Sequence, residues 1–156
     1  MDFIHDSIVK MESNIDDSSG EIMGYLMDRL LEAGARDVNY HPIFMKKNRP
    51  AYQLNVICDE SKVEMLAGII FSETTTIGIR YQTMERLILP REIRMVNTPI
   101  GEALVKVCRL PGGERAYPEY ESAASLAKEY QMPLPEVYDM IREAYDRLRE
   151  AEKEDQ

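Results

Sequence analysis

Hydrophobic and polar residues alternate over residues 7 to 15, with Val9 and Met11 opposite Lys10 and Glu12, a two-residue period that predicts a strand. Further on, Ile22, Leu26 and Leu30 run beside Met23, Met27 and Leu31 in adjacent i, i+4 rows. That pattern predicts a helix with one broad apolar face, closed by Gly34 at its C-terminal end. Residues 37 to 45 predict a second strand, and Pro42, which has no amide proton to give a ladder, places it at a sheet edge. A third strand is expected over 51–58 after the turn Lys46-Lys47-Asn48-Arg49-Pro50. Ser61 and Glu64 have capping-box spacing before a helix through Phe71, whose inner face is Val63, Leu66, Ala67 and Ile70. A fourth strand is expected over 78–89.

The order strand, helix, strand, strand, helix, strand is the split βαβ, or ferredoxin-like, pattern of an α+β fold, in which the second strand is an edge. Pro42 points the same way. Beyond Pro90, segments 91–98 and 103–110 predict a hairpin around Pro99-Ile100-Gly101, followed by a Pro111-Gly112-Gly113 turn. Pro118 and Pro135 suit first helical positions and open helices near 118–131 and 135–152, the last carrying Glu143 and Arg147 at i, i+4. The expected layout is a linker over 1–6, a ferredoxin-like domain over 7–89, a β-hairpin extension over 90–117 and a C-terminal helical pair over 118–156.

Composition narrows the partners. The chain has 156 residues, 44% hydrophobic and 30% charged, within the ordinary range for one globular domain with an appended piece. Its net charge of −9 argues against a nucleic-acid backbone as the main partner. The stretch from Ala123 to Ile141 has the outline of a helix-turn-helix, but its second helix opens Pro135-Glu136 and is acidic, so it reads as a packing element. No apolar run approaches the roughly 20 residues that cross a bilayer, and Met1 to Asp6 does not resemble a signal peptide; a cytoplasmic location is expected. Cys58 and Cys108 sit in apolar runs and read as free thiols; with only His5 and His41 beside them, a zinc site of soft ligands is not expected.

Three polar segments carry candidate chemistry. Asn14, Asp16 and Asp17 cluster at a strand end before a helix N-terminus and offer hard oxygen ligands to Mg²⁺ or Mn²⁺. The amides of Ser19, Gly20 and Glu21 suit a phosphate, while Ser18 and Glu21 equally have the spacing of a capping box. The turn with Lys46, Lys47 and Arg49 is either a solvated tip or a triphosphate clamp. Thr74, Thr75 and Thr76, between Glu73 and Arg80, offer hydroxyl and amide donors or form a plain helix-to-strand loop. Lys106 is a solvated strand residue or a functional ammonium.

Together, Asn14-Ile-Asp-Asp-Ser-Ser-Gly-Glu21, Met45-Lys-Lys-Asn-Arg-Pro50, Glu73-Thr-Thr-Thr-Ile-Gly-Ile-Arg80, and Lys106 followed by Pro118-Glu-Tyr-Glu121 resemble the C-terminal domain of the LarC family. The resemblance runs from about Ser7 to Ile141. It departs from the family pattern at Asp17-Ser18-Ser19-Gly20, where a Met and a Thr are expected. The family is the nickel insertase, or cyclometallase, that completes the nickel-pincer nucleotide of lactate racemase. The resemblance implies nickel, as substrate metal, inserted into pyridinium-3,5-bisthiocarboxylic acid mononucleotide, with CTP consumed to CMP and pyrophosphate and with Mg²⁺ or Mn²⁺ as cofactor. It implies a homo-oligomer and an N-terminal, His-rich nickel-binding region beyond this sequence, so that this chain is the nucleotide-binding part of a larger or two-part enzyme.

On that resemblance Asp16 and Asp17 are the metal ligands. The nucleotide is assigned to Asn14, Ser18, Ser19, Gly20, Lys46, Lys47, Arg49, Thr74, Thr75, Thr76, Arg80, Glu119 and Glu121. Lys46, Glu73 and Lys106 are the catalytic candidates. The alternative is a non-catalytic small-ligand-binding or oligomerisation module.

Overall fold

A computed structural model describes residues 3–154. Two compact units divide the chain, one formed by His5–Leu87 and the other by Ile88–Gln156 with Met1–Ile4.

In the first unit, strand β1 (Ile4–Ile15) leads to helix α1 (Gly20–Glu32), then strands β2 (Asp37–Met45) and β3 (Arg49–Cys58), helix α2 (Val63–Glu73) and strand β4 (Arg80–Ile88). The sheet order is β2-β3-β1-β4. This is the ferredoxin-like arrangement, with β2 at the edge where Pro42 requires it. Ile4 to Asp6 belong to β1 rather than to a linker: apolar alternation ceases near the strand's start, but its backbone continues into the element.

The two-residue period of β1 turns Val9, Met11, Ser13 and Ile15 inward. Val9, Met11 and Ile15 join Val38, Leu54, Val56 and Cys58 from the neighbouring strands under Met23, Leu26 and Leu30 of α1 and Leu66 and Ile70 of α2. Each such side chain contributes about 1.5–3 kcal/mol of transfer free energy. The apolar face of α1 is narrower than its sequence pattern, since Ile22 and Leu31 lie exposed at its margins. Cys58 and Cys108 are free, Cys58 lying fully buried against the Met11 sulfur at 3.7 Å.

Both expected capping boxes are absent. Ser19, not Ser18, caps α1, its Oγ accepting from the Ile22 amide at 3.3 Å, which moves Glu21 out of register for the reciprocal bond. Ahead of α2 a 3₁₀ turn over Glu60–Lys62 takes up Ser61, and no side chain caps the helix. At the other end of α1, Gly34 has φ +92°; its amide donates to the Leu31 carbonyl and that of Ala35 to Leu30, a Schellman closure. Asp6 on β1 accepts from Arg36 and Arg86, and Arg36 also donates to Asp59, so charged pairs tie β4 and the start of β2 to the central strand.

In the second unit, β5 (Arg91–Thr98), β6 (Gly101–Leu110) and β7 (Gly113–Pro118) form an antiparallel sheet, followed by α3 (Tyr120–Glu129) and α4 (Leu134–Glu154). Val96, Val105 and Val107 pack with Leu126, Val137, Ile141 and Tyr145. The hairpin and helices thus share one core instead of forming separate pieces. The short β7 was hidden by its Gly-Glu-Arg-Ala-Tyr-Pro composition and is defined by pairing with β6. Pro118 ends β7, and α3 starts after Glu119, so Pro118 is not a first helical residue; α4 opens one residue before Pro135. Glu143 and Arg147 are not in ion-pair contact; Arg142 pairs with Asp139 instead, at 2.8 Å.

Gly34→Ala is expected to destabilise the first unit by about 1–2 kcal/mol, because an L side chain there must hold a left-handed backbone. An added Cβ would also stand 2.1 Å from the Lys62 Nζ, displacing the ammonium that donates to the Gly34 carbonyl at 3.0 Å. Urea denaturation of the variant would measure it, and an unchanged midpoint would refute the strain. The hydrogen bond from Arg36, and then that from Arg86, hold the Asp6 carboxyl below its ordinary value of 3.8. A carboxylate depressed in the folded state contributes stability that is present above that value and is lost as pH falls through the lowered one. Asp6→Asn should therefore flatten the acid limb of stability against pH below 3.8 while leaving the neutral-to-alkaline limb parallel to the parent.

Candidate functional site

Because β1 is an inner strand, its end fixes the acidic loop beside two other connections of the first unit. Asn14 and Gln53 face each other on β1 and β3, and the Gln53 side-chain amide donates to the Asn14 Oδ1 at 3.2 Å. Arg80, first residue of β4, donates to the same oxygen at 3.1 Å and through its Nε to Glu12 at 2.8 Å. Lys10 meets the other Glu12 oxygen at 2.5 Å. These two cations, the Lys10 bond first, hold the Glu12 carboxyl below the usual glutamate range. Arg80 is thus oriented, not free to swing.

The threonine loop is fastened to the acidic loop from two sides. Thr75 donates its hydroxyl to the Asp17 carboxylate. Thr76 shares a hydrogen bond of 2.7 Å with Ser13, a hydroxyl that is 1% exposed, and both hydroxyls reach the Gly78 carbonyl at 3.1 Å. Thr74 instead closes α2, donating to the Ile70 carbonyl at 2.8 Å. Glu73 is engaged by Arg29 of α1. That ion pair ties the end of α2 to α1.

The basic turn reaches the same loop through Arg49, whose Nη1 stands 3.3 Å from Asp16. Lys46 and Lys47 make no ion pair among the described residues. Lys47 and Asn48 both adopt left-handed backbone, at φ 60° and 57°. Non-glycine residues pay for that conformation, and here it tightens the β2–β3 tip.

Asp16, Asp17, Ser18, Ser19, Gly20, Lys46, Lys47, Arg49, Thr74, Thr75, Thr76, Asn14, Arg80 and Glu73 all belong to the first unit. Lys106, Glu119 and Glu121 belong to the second, where Lys106 pairs with Glu119 at 2.6 Å and Glu121 lies in the first turn of α3. The residues that sequence reasoning passed over are Ser13, Glu12 and Gln53. Ser13 left a signal: a hydroxyl in an inward slot of β1 between Met11 and Ile15 must find a partner. Glu12 and Gln53 left none, since outward polar residues on strands are ordinary.

The donor set bears on a divalent ion. No group of three or more His, Cys, Asp or Glu gathers among the described residues. Asp16 and Asp17 supply at most two carboxylates. That suits Mg²⁺ or Mn²⁺, which commonly take one or two carboxylates and complete their shell with phosphate oxygens and water. No helix among the described residues is long and apolar enough to cross a membrane.

Comparison with known proteins agrees with the motif reading. The family model for nickel insertion protein matches residues 1–138. The pyridinium-3,5-bisthiocarboxylic acid mononucleotide nickel insertion protein of Alkaliphilus metalliredigens is 47% identical over 131 residues, 84% of this chain and 31% of that protein. Its counterpart in Lactiplantibacillus plantarum is 43% identical over 145 residues, 93% of this chain and 34% of that one. The chain therefore spans about a third of the length of these curated relatives. A solved structure of the C-terminal domain of a cyclometallase, involved in synthesis of the NPN cofactor of lactate racemase and captured in apo form, superposes with a TM-score of 0.85 at 43% identity, covering 92% of this chain and 99% of that one. A protein from Methanopyrus kandleri AV19 shares the fold at TM-score 0.66 and 22% identity, with 90% of each chain covered. This chain, with its ferredoxin-like unit followed by a sheet-and-helix unit, belongs to the nickel insertion protein family.

Proposed function

We propose that this chain is the CTP- and divalent-metal-binding part of a nickel insertase that places nickel into pyridinium-3,5-bisthiocarboxylic acid mononucleotide. The observation that carries the reading is the convergence of two other connections on Asp16 and Asp17. One aspartate is met by Arg49 of the basic turn and the other by Thr75 of the threonine loop. Family membership supports nickel insertion as the reaction to which this part of the enzyme contributes.

In this reading nickel is substrate, and the resident metal is Mg²⁺ or Mn²⁺ on Asp16 and Asp17. When bound, that ion supplies positive charge shared between phosphate oxygens. The chain's own contributions are positional. Ser18, Ser19 and Gly20 present the N-terminal end of α1 to a phosphate, where unpaired amides and the helix dipole favour negative charge. Lys46, Lys47 and Arg49 bring cations to the triphosphate, and Lys46 is assigned to the charge that develops as CTP is cleaved to CMP and pyrophosphate. Arg80, held by Glu12 and Asn14, contributes a fixed guanidinium, and Thr75 and Thr76 contribute hydroxyls. Lys106, Glu119 and Glu121 enter through the resemblance alone. The nickel-binding region, the pyridinium mononucleotide and a homo-oligomeric assembly belong to the same proposal.

The replacement of Asp16 and Asp17 by Ala together tests it. Calorimetry with CTP and Mn²⁺ is expected to show affinity reduced at least about tenfold, equivalent to about 1.4 kcal/mol. A change within about twofold would make the loop a helix cap and favour a non-catalytic module. Binding of all four nucleoside triphosphates with equal affinity would remove the assignment to CTP.

A further inference from the structure

Consecutive residues of β1 hold the segment that runs from the end of α2 to the start of β4. On the outer face of the sheet Glu12 and Asn14 take Arg80. Between them, on the core face, Ser13 reaches back along the segment. Its Oγ lies 2.7 Å from the Thr76 Oγ1 and 3.1 Å from the Gly78 carbonyl oxygen. The Thr76 hydroxyl reaches the same carbonyl at 3.1 Å, so the hydroxyl protons of both residues are spent inside this cluster.

Apolar packing does not fix the middle of the segment. Ile77, between the two anchored residues, is 100% exposed and buries nothing. A Cβ built on Gly78 would meet nothing within 4 Å, which leaves that side of the backbone open. Ser13, by contrast, is 1% exposed, in an inward slot between Met11 and Ile15 where an apolar side chain would add to the core. A hydroxyl so placed must be bonded, and its partners are the loop and not a neighbouring strand. Thr76 is half-buried and within reach of water, and Thr76 itself serves the Gly78 carbonyl. Satisfying the loop's polar atoms therefore does not require Ser13, whereas fixing the loop's position does.

We infer that Ser13 is a positioning residue for the nucleotide site. Through Thr76 it sets the place of the adjacent Thr75, whose hydroxyl holds the Asp17 carboxylate, and it touches no ligand itself. The inference rests on the nucleotide-binding reading and adds to it a residue behind the site. Asp17 keeps its aim only while Thr75 keeps its place, and a binding constellation tolerates displacement of no more than about 0.5 Å.

Ser13→Ala tests the assignment in the full chain. The substitution leaves Thr76 bonded to the Gly78 carbonyl, so no buried polar group is orphaned and the chain is expected to fold. Calorimetry with CTP and Mn²⁺ is expected to show affinity about fivefold to tenfold weaker than the parent, the equivalent of one hydrogen bond. In a Thr76→Val background, where that bond is already gone, Ser13→Ala is expected to change affinity by less than about twofold. Urea denaturation of each variant establishes that folded protein is being titrated. A serine that served only the core would lower the urea midpoint and leave affinity unchanged. Affinity of Ser13→Ala within about twofold of the parent, or the same loss with and without the Thr76 hydroxyl, would overturn the inference while leaving the nucleotide reading in place. Absence of CTP binding by the unsubstituted chain would remove both.

Discussion

The alternation of β1 is the constraint on which the first unit depends. As an inner strand it has partners on both sides, so its register cannot slip by one residue without sending Val9, Met11 and Ile15 to solvent and Lys10 and Glu12 into the core. The same period dictates the site. Ser13 is turned inward to grip Thr76, Glu12 and Asn14 are turned outward to receive Arg80, and the chain leaves the sheet at Ile15 directly into Asp16 and Asp17. Core and candidate site are therefore two faces of one strand, and a substitution that disturbs one is felt in the other.

Charge is arranged locally against the overall balance. The chain is acidic by nine charges, yet its described acidic-loop carboxylates each have a donor: Asp16 has Arg49 and Asp17 has Thr75. Arg49 and Arg80 are likewise occupied, whereas Lys46 and Lys47 stand without ion pairs among the described residues at a strained tip. The proposed phosphate site needs both kinds of cation: some fixed by carboxylates so that geometry is kept, and some uncommitted so that charge remains to be neutralised.

The elements of the ferredoxin-like unit were legible because each rests on a local rule: two-residue alternation for β1, i, i+4 rows for α1, and a proline at the edge for β2. What escaped was set by pairing across distance. β7 has no alternation to announce it and exists because Val107, Arg109 and their neighbours on β6 offer it partners. The capping box of α1 failed at single-residue resolution, since Ser18 and Ser19 are both competent caps and the helix uses Ser19, while that of α2 was lost to a 3₁₀ turn over Ser61. For the site, the loops themselves could be read as polar clusters, but the clasp between Asp17 and Thr75 joins residues far apart in sequence and follows from topology.

The split order of the first unit also sets the tempo at which the molecule is made. Strand β1 must wait for β3, with Val9 opposite Cys58 and Ile15 opposite Tyr52, so a long loop has to close before the central ladder forms. The meander of the second unit pairs each strand with its immediate successor, through Thr98 opposite Gly101 and Leu110 opposite Gly113. Local contacts form faster than distant ones. During synthesis β1 therefore emerges ahead of β3, its ladder partner, leaving for that interval an apolar, unpaired strand that is a hazard for association with other nascent chains.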